Sequence, residues 1–404
     1  MQQRNSNYDV IIAGGGPAGS SAAIHLAQRQ LRVLLVEQKQ FPRQKLCGEF
    51  ISPECFDHFR QLGVADKMLA SNPTSLTETI FYSRRGQQVR VPSDWFGTRS
   101  ALGLSRAEMD NHLLRQAESV GVDVLENSAV TDVIEERERV CGVRIRTDDG
   151  DYRAPVTLDA TGRARVLCRR IERHGEGEQR PRTRPRLVAF KAHFSGSEVT
   201  PGACEIYSYT RGYGGLSKIE NELANLCFIV AAKDVRRWHS DPELVLRNTL
   251  MTNPRAAKVL TPARRSSDWL SVSLENFGFQ DVTPKTGLLA LGDSAAFIDP
   301  FTGSGMLMAL ESGELAAKLI TSHLRESSDV ASLVALSTTY RNEFRSRFRS
   351  RLQMSGLLRL TAYTPVLADT VILLCSLSDR FRNRIARATR SGSGAYGSAM
   401  ESLK

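Results

Sequence analysis

Residues 11–37 read IIAGGGPAGSSAAIHLAQRQLRVLLVE. The opening apolar run is continuous rather than alternating, which suits a strand buried on both faces of a parallel sheet. A glycine turn follows, then a predicted helix over 17–30 and a second strand over 32–37. Gly14, Gly16 and Gly19, with Pro17 and Ala18 between them, fit the spacing G-x-G-x-x-G. Gly14 permits the tight turn, Gly16 lets the backbone approach a pyrophosphate, and Gly19 lets the helix pack on the sheet. The free amides at the helix start face the phosphates. Glu37 ends the second strand, where its carboxylate can accept both hydroxyls of a ribose and repel a 2′-phosphate. The glycine motif alone is weak. Set between two strands and followed by the acid, it predicts a dinucleotide rather than a structural turn.

The chain of 404 residues is long enough for two or three lobes. Gly and Pro, at 30 and 15, are not enriched, so a folded protein is expected. The first ten residues, MQQRNSNYDV, hold no apolar segment of the kind a secretory signal needs. Seven cysteines without a repeated spacing suggest a reducing cytoplasm. The net charge of +10 is concentrated in arginine clusters at 162–186, 341–351 and 379–390. No nucleic-acid motif accompanies them, so nucleic acid is not an expected partner. An anionic cofactor or an anionic membrane surface touched by the basic C-terminal helices is one reading. A solvated arginine surface is the other. The apolar run 366–375 is too short to span a bilayer and contains Asp369. Thr364 and Pro365 begin a helix there, which either lies on a membrane surface or packs on the body.

Other elements follow from pattern. Residues 104–120 form an amphipathic helix, with Ser105 as N-cap and Glu108 completing a capping box. Strands are expected at 122–125 and 156–160, with a hairpin ribbon over 129–154 between them. Residues 78–92 alternate as a hairpin turning at Arg85 and Gly86. Residues 187–194, 204–209 and 223–230 look like strands of a second, mostly antiparallel sheet. Residues 288–291 return to the nucleotide lobe, a helix over 305–324 closes it, and the rest is helical up to a frayed tail at 391–404. The expected fold is α/β with an α+β substrate lobe. Residues 1–75, 100–170 and 281–325 form the nucleotide lobe. Residues 76–99 and 171–280 form the substrate lobe, and 326–404 a helical region.

Two later stretches specify the dinucleotide. LDATGRARV, 158–166, is a strand ending in Asp159 and a turn at Gly162. In 288–317, LLALGDSAAFIDPFTGSGMLMALESGELAA, a strand runs into Gly292 and Asp293, then Pro300, Gly303, Ser304, Gly305 and Met306. Asp293 is placed to hold a ribityl hydroxyl. The Gly-Ser-Gly turn sets a positive helix end where it favours a reduced, anionic flavin. A buried Asp capping its own loop is the structural alternative.

On these residues, with the sequence 45–48 (KLCG) and 104–110, the chain resembles the FAD-dependent oxidoreductases of the aromatic-hydroxylase (p-hydroxybenzoate hydroxylase-like) fold. Within them it resembles the geranylgeranyl-reductase-like branch. The likeness covers roughly 8–325. It implies a Rossmann-like FAD-binding domain of the glutathione-reductase/aromatic-hydroxylase type with its isoalloxazine between the lobes. It also implies Arg106 near the phosphates, the segment from Arg43 to Cys47 and Gly48 bordering the flavin, and Gln38 beside Glu37 at the adenosine end. The reductases carry Tyr-x-Trp-x-Phe-Pro over the substrate tunnel; residues 207–220, YSYTRGYGGLSKIE, lack it. The halogenases use Trp-x-Trp-x-Ile-Pro and a catalytic lysine; Trp95, Trp238 and Trp269 stand alone. CGEF and GYGGLS resemble bacterial oxidoreductases of polyketide-type pathways, which hydroxylate or dehydrogenate.

The cofactor carries the redox step, so few protein groups are needed. Cys47 relays a proton, senses redox state, or is a structural thiol. Glu49 is a base in the substrate space or a loop cap. Tyr207, Tyr209 and Tyr213 hydrogen-bond a phenol or carbonyl, or fill the core. His25 and His112 sit in predicted helices outside any metal pattern, and no metal is expected. No second glycine-rich βαβ unit appears, so NAD(P)H is expected as a transient visitor. The expected protein is a cytoplasmic FAD-dependent monooxygenase. It hydroxylates a lipophilic or aromatic natural-product intermediate, free or carrier-bound. The rivals are a C=C reductase of prenyl chains, a dehydrogenase, and a redox-sensing or carrier-docking flavoprotein.

Overall fold

The structure, a computed structural model, describes residues 8–93, 100–146, 150–175, 186–326 and 329–378. Trp95, the turn at 148–149, part of the first arginine cluster, the cluster at 379–390 and the tail lie outside the described residues.

Five parallel strands form the first sheet, in the order Leu288–Ala290, Val156–Asp159, Val10–Ala13, Val33–Val36, Asp123–Leu125. All residues of Val10–Ala13, Val33–Val36 and Val156–Asp159 are buried, as continuous apolar runs require. Helix Pro17–Ala27 stops short of the expected Gln30, which takes a left-handed φ of 67° and turns the chain into the next strand. Helix Gly305–Glu326 crosses it at close range. A Cβ on Gly313 would lie 2.6 Å from the Ala18 carbonyl oxygen, so only glycine lets the two backbones meet there. The hairpin ribbon is present as Val130–Glu136, Arg139–Ile145 and Asp151–Arg153. Helix Arg106–Ser119 starts at Ser105, whose Oγ accepts from the Glu108 amide at 3.2 Å. The capping box is only half made, because the Ser105 amide donates instead to Glu220 Oε2 at 2.9 Å.

A larger sheet of eight strands holds Leu187–Ser195, Ala224–Ala231, Gly212–Lys218 and Ala203–Tyr209 side by side. The hairpin Glu78–Tyr82/Gln88–Pro92 extends it, and the pairing of Glu78–Tyr82 with Ala203–Tyr209 is parallel. Strand Gly212–Lys218 has no counterpart among the predicted elements. Its glycines hide it from pattern reading, yet a Cβ on Gly214 would press on Leu250 at 2.7 Å. Helices Pro242–Asn248 and Pro254–Leu260 cover one face of this sheet. Each begins with an Asx cap and a proline, Asp241 and Asn253 accepting from the first free amides.

The long helix Val330–Tyr363 buries Tyr340, Phe344 and Phe348 against the first core, each burial stabilising by about 1.5–3 kcal/mol. Helix Pro365–Leu377 packs on the hairpin, Val371, Ile372 and Cys375 meeting Phe81 and Val89. Arg84 holds Asp369 at 2.9 Å beside them. The apolar run is therefore a packed helix. Among the described residues no helix is long and apolar enough to cross a membrane.

Candidate active site

A cavity of about 610 Å³ lies between the carboxyl ends of the parallel strands and the free face of the large sheet. Its inner end is built by the glycine turn. Gly14 has φ +107°, and a Cβ there would sit 2.4 Å from the Ala160 carbonyl oxygen. At Gly16 a Cβ would meet nothing nearer than Arg43 Nη2 at 3.9 Å, so this backbone faces open cavity. No side chain caps the start of helix Pro17–Ala27, which leaves its first amides for a ligand. Glu37 is pre-set beside them: Oε2 accepts from the Gly15 amide at 2.8 Å and Oε1 from the Lys39 amide at 2.9 Å.

Positive charge gathers along the middle. Arg106 forks onto Asp110 with two bonds of 2.7 Å, and Arg43 Nη1 reaches the same carboxylate at 3.1 Å. Two guanidiniums share one carboxylate, which suits an anionic ligand. Lys45 and Arg163 add to it, both lining the cavity. Burial lowers the proton affinity of Lys45, and Arg43, Arg106 and Arg163 lower it further.

At the far end Gly292, Asp293, Pro300, Gly303, Gly305 and Met306 line the wall. Burial raises the pKa of Asp293, against the pull of Arg163, Arg106 and Lys45. Its carboxylate opens to the cavity with no hydrogen-bond partner among the described residues. An acceptor left bare in this way fits a hydroxyl-bearing chain. The extended cleft, the uncapped helix, the surplus cations and the bare carboxylate together fit FAD. Gln38, Cys47, Gly48 and Gly162 also line the cavity.

Several expected residues sit elsewhere. Asp159 ends its strand as predicted, but its carboxylate turns away from the cavity. Oδ1 accepts from the Thr161 amide (3.0 Å), Thr161 Oγ1 (2.6 Å) and Ser294 Oγ (3.2 Å). Oδ2 accepts from the Leu167 and Cys168 amides, both at 3.0 Å, and so caps helix Val166–Gly175. It is a structural strut, not a cofactor ligand. Gly19 serves close packing, the role expected of it, and not the cavity: a Cβ there would be 1.9 Å from the Gly14 carbonyl oxygen. Ser304 is buried with Oγ on the Thr302 carbonyl, so its side chain does not reach the cavity either.

Tyr207 is also misplaced by the sequence reading. It pairs with Gly214, while Ser208 pairs with Tyr213. Alternate strand residues face opposite ways, so Ser208 and Tyr213 face the cavity and Tyr207 and Tyr209 face the covering helices. Tyr207 Oη donates to Glu205 at 2.9 Å, in a cluster that Arg255 also joins. Tyr213 keeps its expected place and donates to Asp299 Oδ1 at 2.6 Å. Asp299 Oδ2 is buried without a partner, and burial raises the pKa of this acid.

Glu49 is not a free base. It is fully buried, and Lys191 Nζ (2.5 Å), His193 Nε2 (2.7 Å) and the Arg106 amide (2.9 Å) surround it. Burial pushes its pKa up, but His193 and Lys191 outweigh that and hold it below the usual carboxylate range. Cys47 is half-buried, its Sγ accepting from the Glu49 amide at 3.4 Å. His25 and His112 lie in helices as expected. Trp238 and Trp269 pack with the large sheet's core.

Lys191, His193, Arg163 and Asp299 went unnoticed in the sequence. A signal existed for the first two: a lysine and a histidine two apart in an apolar strand are buried polar groups that require partners. The outer chamber was also missed. Thr79, Phe81, Val91 and Ile206 wall it on the sheet side, and Leu358, Val371, Ile372 and Cys375 roof it.

Fold and site first define a class: a protein that holds a dinucleotide across the ends of a parallel sheet and opens its far end on an apolar chamber. Residues 7–353 match the family described as FAD binding domain, and the chain belongs to that family; it is an FAD-dependent oxidoreductase. A 1H-pyrrole-2-carbonyl-(peptidyl-carrier protein) brominase of Pseudoalteromonas luteoviolacea is 26% identical over 325 residues, covering 78% of this chain and 77% of that protein. A menaquinone reductase of Mycolicibacterium smegmatis is also 26% identical, over 343 residues, covering 79% of this chain and 77% of that one. A geranylgeranyl bacteriochlorophyll reductase-like structure from Thermoplasma acidophilum superposes with a TM-score of 0.78 at 20% identity, covering 99% and 100% of the two chains, and shows the shared fold.

Proposed function

We propose that the protein is a monooxygenase that hydroxylates a lipophilic or aromatic small molecule held in the outer chamber, with NAD(P)H as electron donor. The observation that carries this reading is the chamber itself. Its walls are mostly apolar, and Tyr213, hydrogen-bonded to Asp299, is one of the residues that line it. The names of the relatives support the class, since pyrrole and menaquinone are aromatic or lipophilic.

In this reading Glu37 and Gln38 hold the adenosine end of FAD. The Gly14–Gly16 turn with Pro17 and Ala18, Arg43 and Arg106 hold the phosphates. Asp293 holds the ribityl chain, and Cys47, Gly48 and Pro300 border the ring. Bound FAD supplies electron transfer and the activation of oxygen. The roof residues keep water out. Tyr213 spends its O–H on Asp299, so its oxygen is left as an acceptor for a substrate O–H. As the substrate proton moves to Tyr213 Oη, the tyrosine proton moves to Asp299 Oδ1, a carboxylate whose buried setting favours protonation. The brominase relative acts on a carrier-bound pyrrole, which supports delivery by an acidic carrier to the arginine clusters. C=C reduction is the second reading; two relatives are named as reductases of lipophilic compounds, the menaquinone reductase and the digeranylgeranylglycerophospholipid reductase of Methanosarcina mazei.

The test is NAD(P)H-dependent oxygen uptake by FAD-loaded protein with aromatic and prenylated candidates under labelled oxygen. A product with one labelled oxygen atom is expected. A product that gains two hydrogens and no oxygen refutes hydroxylation and supports the second reading. Protein that stays colourless and takes up no FAD refutes the site.

A further inference from the structure

Strand Leu187–Ser195 is apolar at its centre except for Lys191 and His193, which share a face because alternate strand residues point the same way. They are 1% and 4% exposed. A buried lysine is costly unless it is paired. The pair is Glu49, 142 residues earlier in the chain. Lys191 Nζ also donates to Gln44 Oε1 and to the Lys45 carbonyl oxygen, each at 3.1 Å. Asn225 sits opposite His193 in the neighbouring strand and donates to the Cys47 carbonyl oxygen at 3.1 Å. Three side chains of the large sheet thus reach across and grip the segment 44–49.

At its other end the segment is held by Arg43, which bonds Asp110 and lies near Glu37. Among the described residues, no backbone–backbone hydrogen bond involves residues 43–48. Glu49 closes it in a left-handed conformation, φ 52°. The segment runs along the cavity from Arg43, near Glu37, to Cys47 and Gly48.

We infer that Lys191 and His193 are positioning residues: through Glu49 they hold the 43–48 segment in the shape that receives FAD. Neither faces the cofactor cavity directly; both act through the segment they grip. This rests on the cavity being the FAD site. It makes the antiparallel sheet, and not the glycine turn alone, a determinant of cofactor affinity.

The test uses full-length protein and four variants: Lys191→Met, the double variant Glu49→Gln/Lys191→Met, and the pair His193→Leu and His193→Gln compared side by side. FAD is titrated into apo protein by fluorescence quenching. Trypsin cleavage after Arg43 or Lys45 reads the segment, and the urea midpoint reads global stability. Lys191→Met is expected to weaken FAD binding at least tenfold and to speed cleavage at Lys45 several-fold. The double variant removes the buried lysine and its carboxylate partner together, so its urea midpoint returns toward wild type. Its FAD binding stays weak and its cleavage stays fast. His193→Leu behaves likewise, and His193→Gln, which keeps a donor, recovers wild-type values. A double variant that binds FAD and resists trypsin like wild type overturns the inference, because the charges then only balance each other. Should Lys191→Met fail to fold, the double variant alone decides. If wild-type protein takes up no FAD, the cavity reading falls, and the cleavage comparison still judges the clasp.

Discussion

Asp159→Asn separates a strut from a cofactor ligand. Asp159 is fully buried and accepts five hydrogen bonds, two of them from the first amides of helix Val166–Gly175. Asparagine keeps the shape but has one acceptor oxygen. With that oxygen toward Thr161 and Ser294, its amide nitrogen faces the Leu167 and Cys168 amides, donor against donor. Two buried donors are left bare, at about 1–3 kcal/mol each. Loss of the negative charge at the helix start adds about 0.3–1 kcal/mol. Allowing for non-additivity, about 3–5 kcal/mol of stability is lost. The assay is urea unfolding of apo and FAD-loaded protein, with FAD titration on the folded fraction. The expected outcome is a large drop in the urea midpoint and an FAD affinity within a few-fold of wild type. A loss under about 1 kcal/mol together with a tenfold or greater loss of FAD affinity would refute the reasoning, since two buried donors left bare would cost more than that.

Tyr213→Phe is expected to lower turnover of a phenolic substrate about tenfold or more and to flatten its pH profile, leaving FAD affinity unchanged. Tyr207→Phe is expected to cost about 1–2 kcal/mol in urea and to leave chamber ligands unaffected, because its hydroxyl serves Glu205. Asp293→Asn tests the bare carboxylate. Burial raises its folded-state pKa above the ordinary 3.8, so its charge costs the apo protein stability above that pH and nothing well below it. The variant is expected to melt higher than wild-type apo protein at pH 7, with the gain vanishing near pH 3 to 4, and to bind FAD more weakly; equal melting at pH 7 speaks against it. Ile372→Trp narrows the roof and is expected to exclude bulky lipophilic ligands with FAD binding intact, read by ligand-induced changes in the flavin spectrum.

The nucleotide end was legible because its signals are local. Gly14, Gly16 and Glu37 lie within one βαβ unit, and backbone sterics fix what each glycine is for. Asp159 was read as a strand-end acid before a glycine turn, and so as a cofactor ligand. What sequence spacing cannot show is that the next helix starts within reach and claims the carboxylate first. Tyr207 and Tyr213 were read as one set because strand Gly212–Lys218, rich in glycine, gives no apolar alternation, and without its register the facing of either tyrosine is undetermined. The Glu49 clasp depends on a contact between residues more than 140 positions apart, which no local pattern encodes. Helix Pro365–Leu377 was foreseen as an element, but its role as a chamber wall depends on which hairpin it meets.

That wall has a consequence for the order in which the enzyme becomes competent. Leu358, Val371, Ile372 and Cys375 leave the ribosome after every strand of both main sheets. A nascent chain can therefore complete its cofactor cradle while the reaction space is still open to solvent. In that interval, on the proposed reading, FAD held in the cradle would face solvent rather than a closed substrate space. On that reading the roofing helices would be the final safety catch, and a chain cut before residue 358 is expected to consume NAD(P)H without forming product.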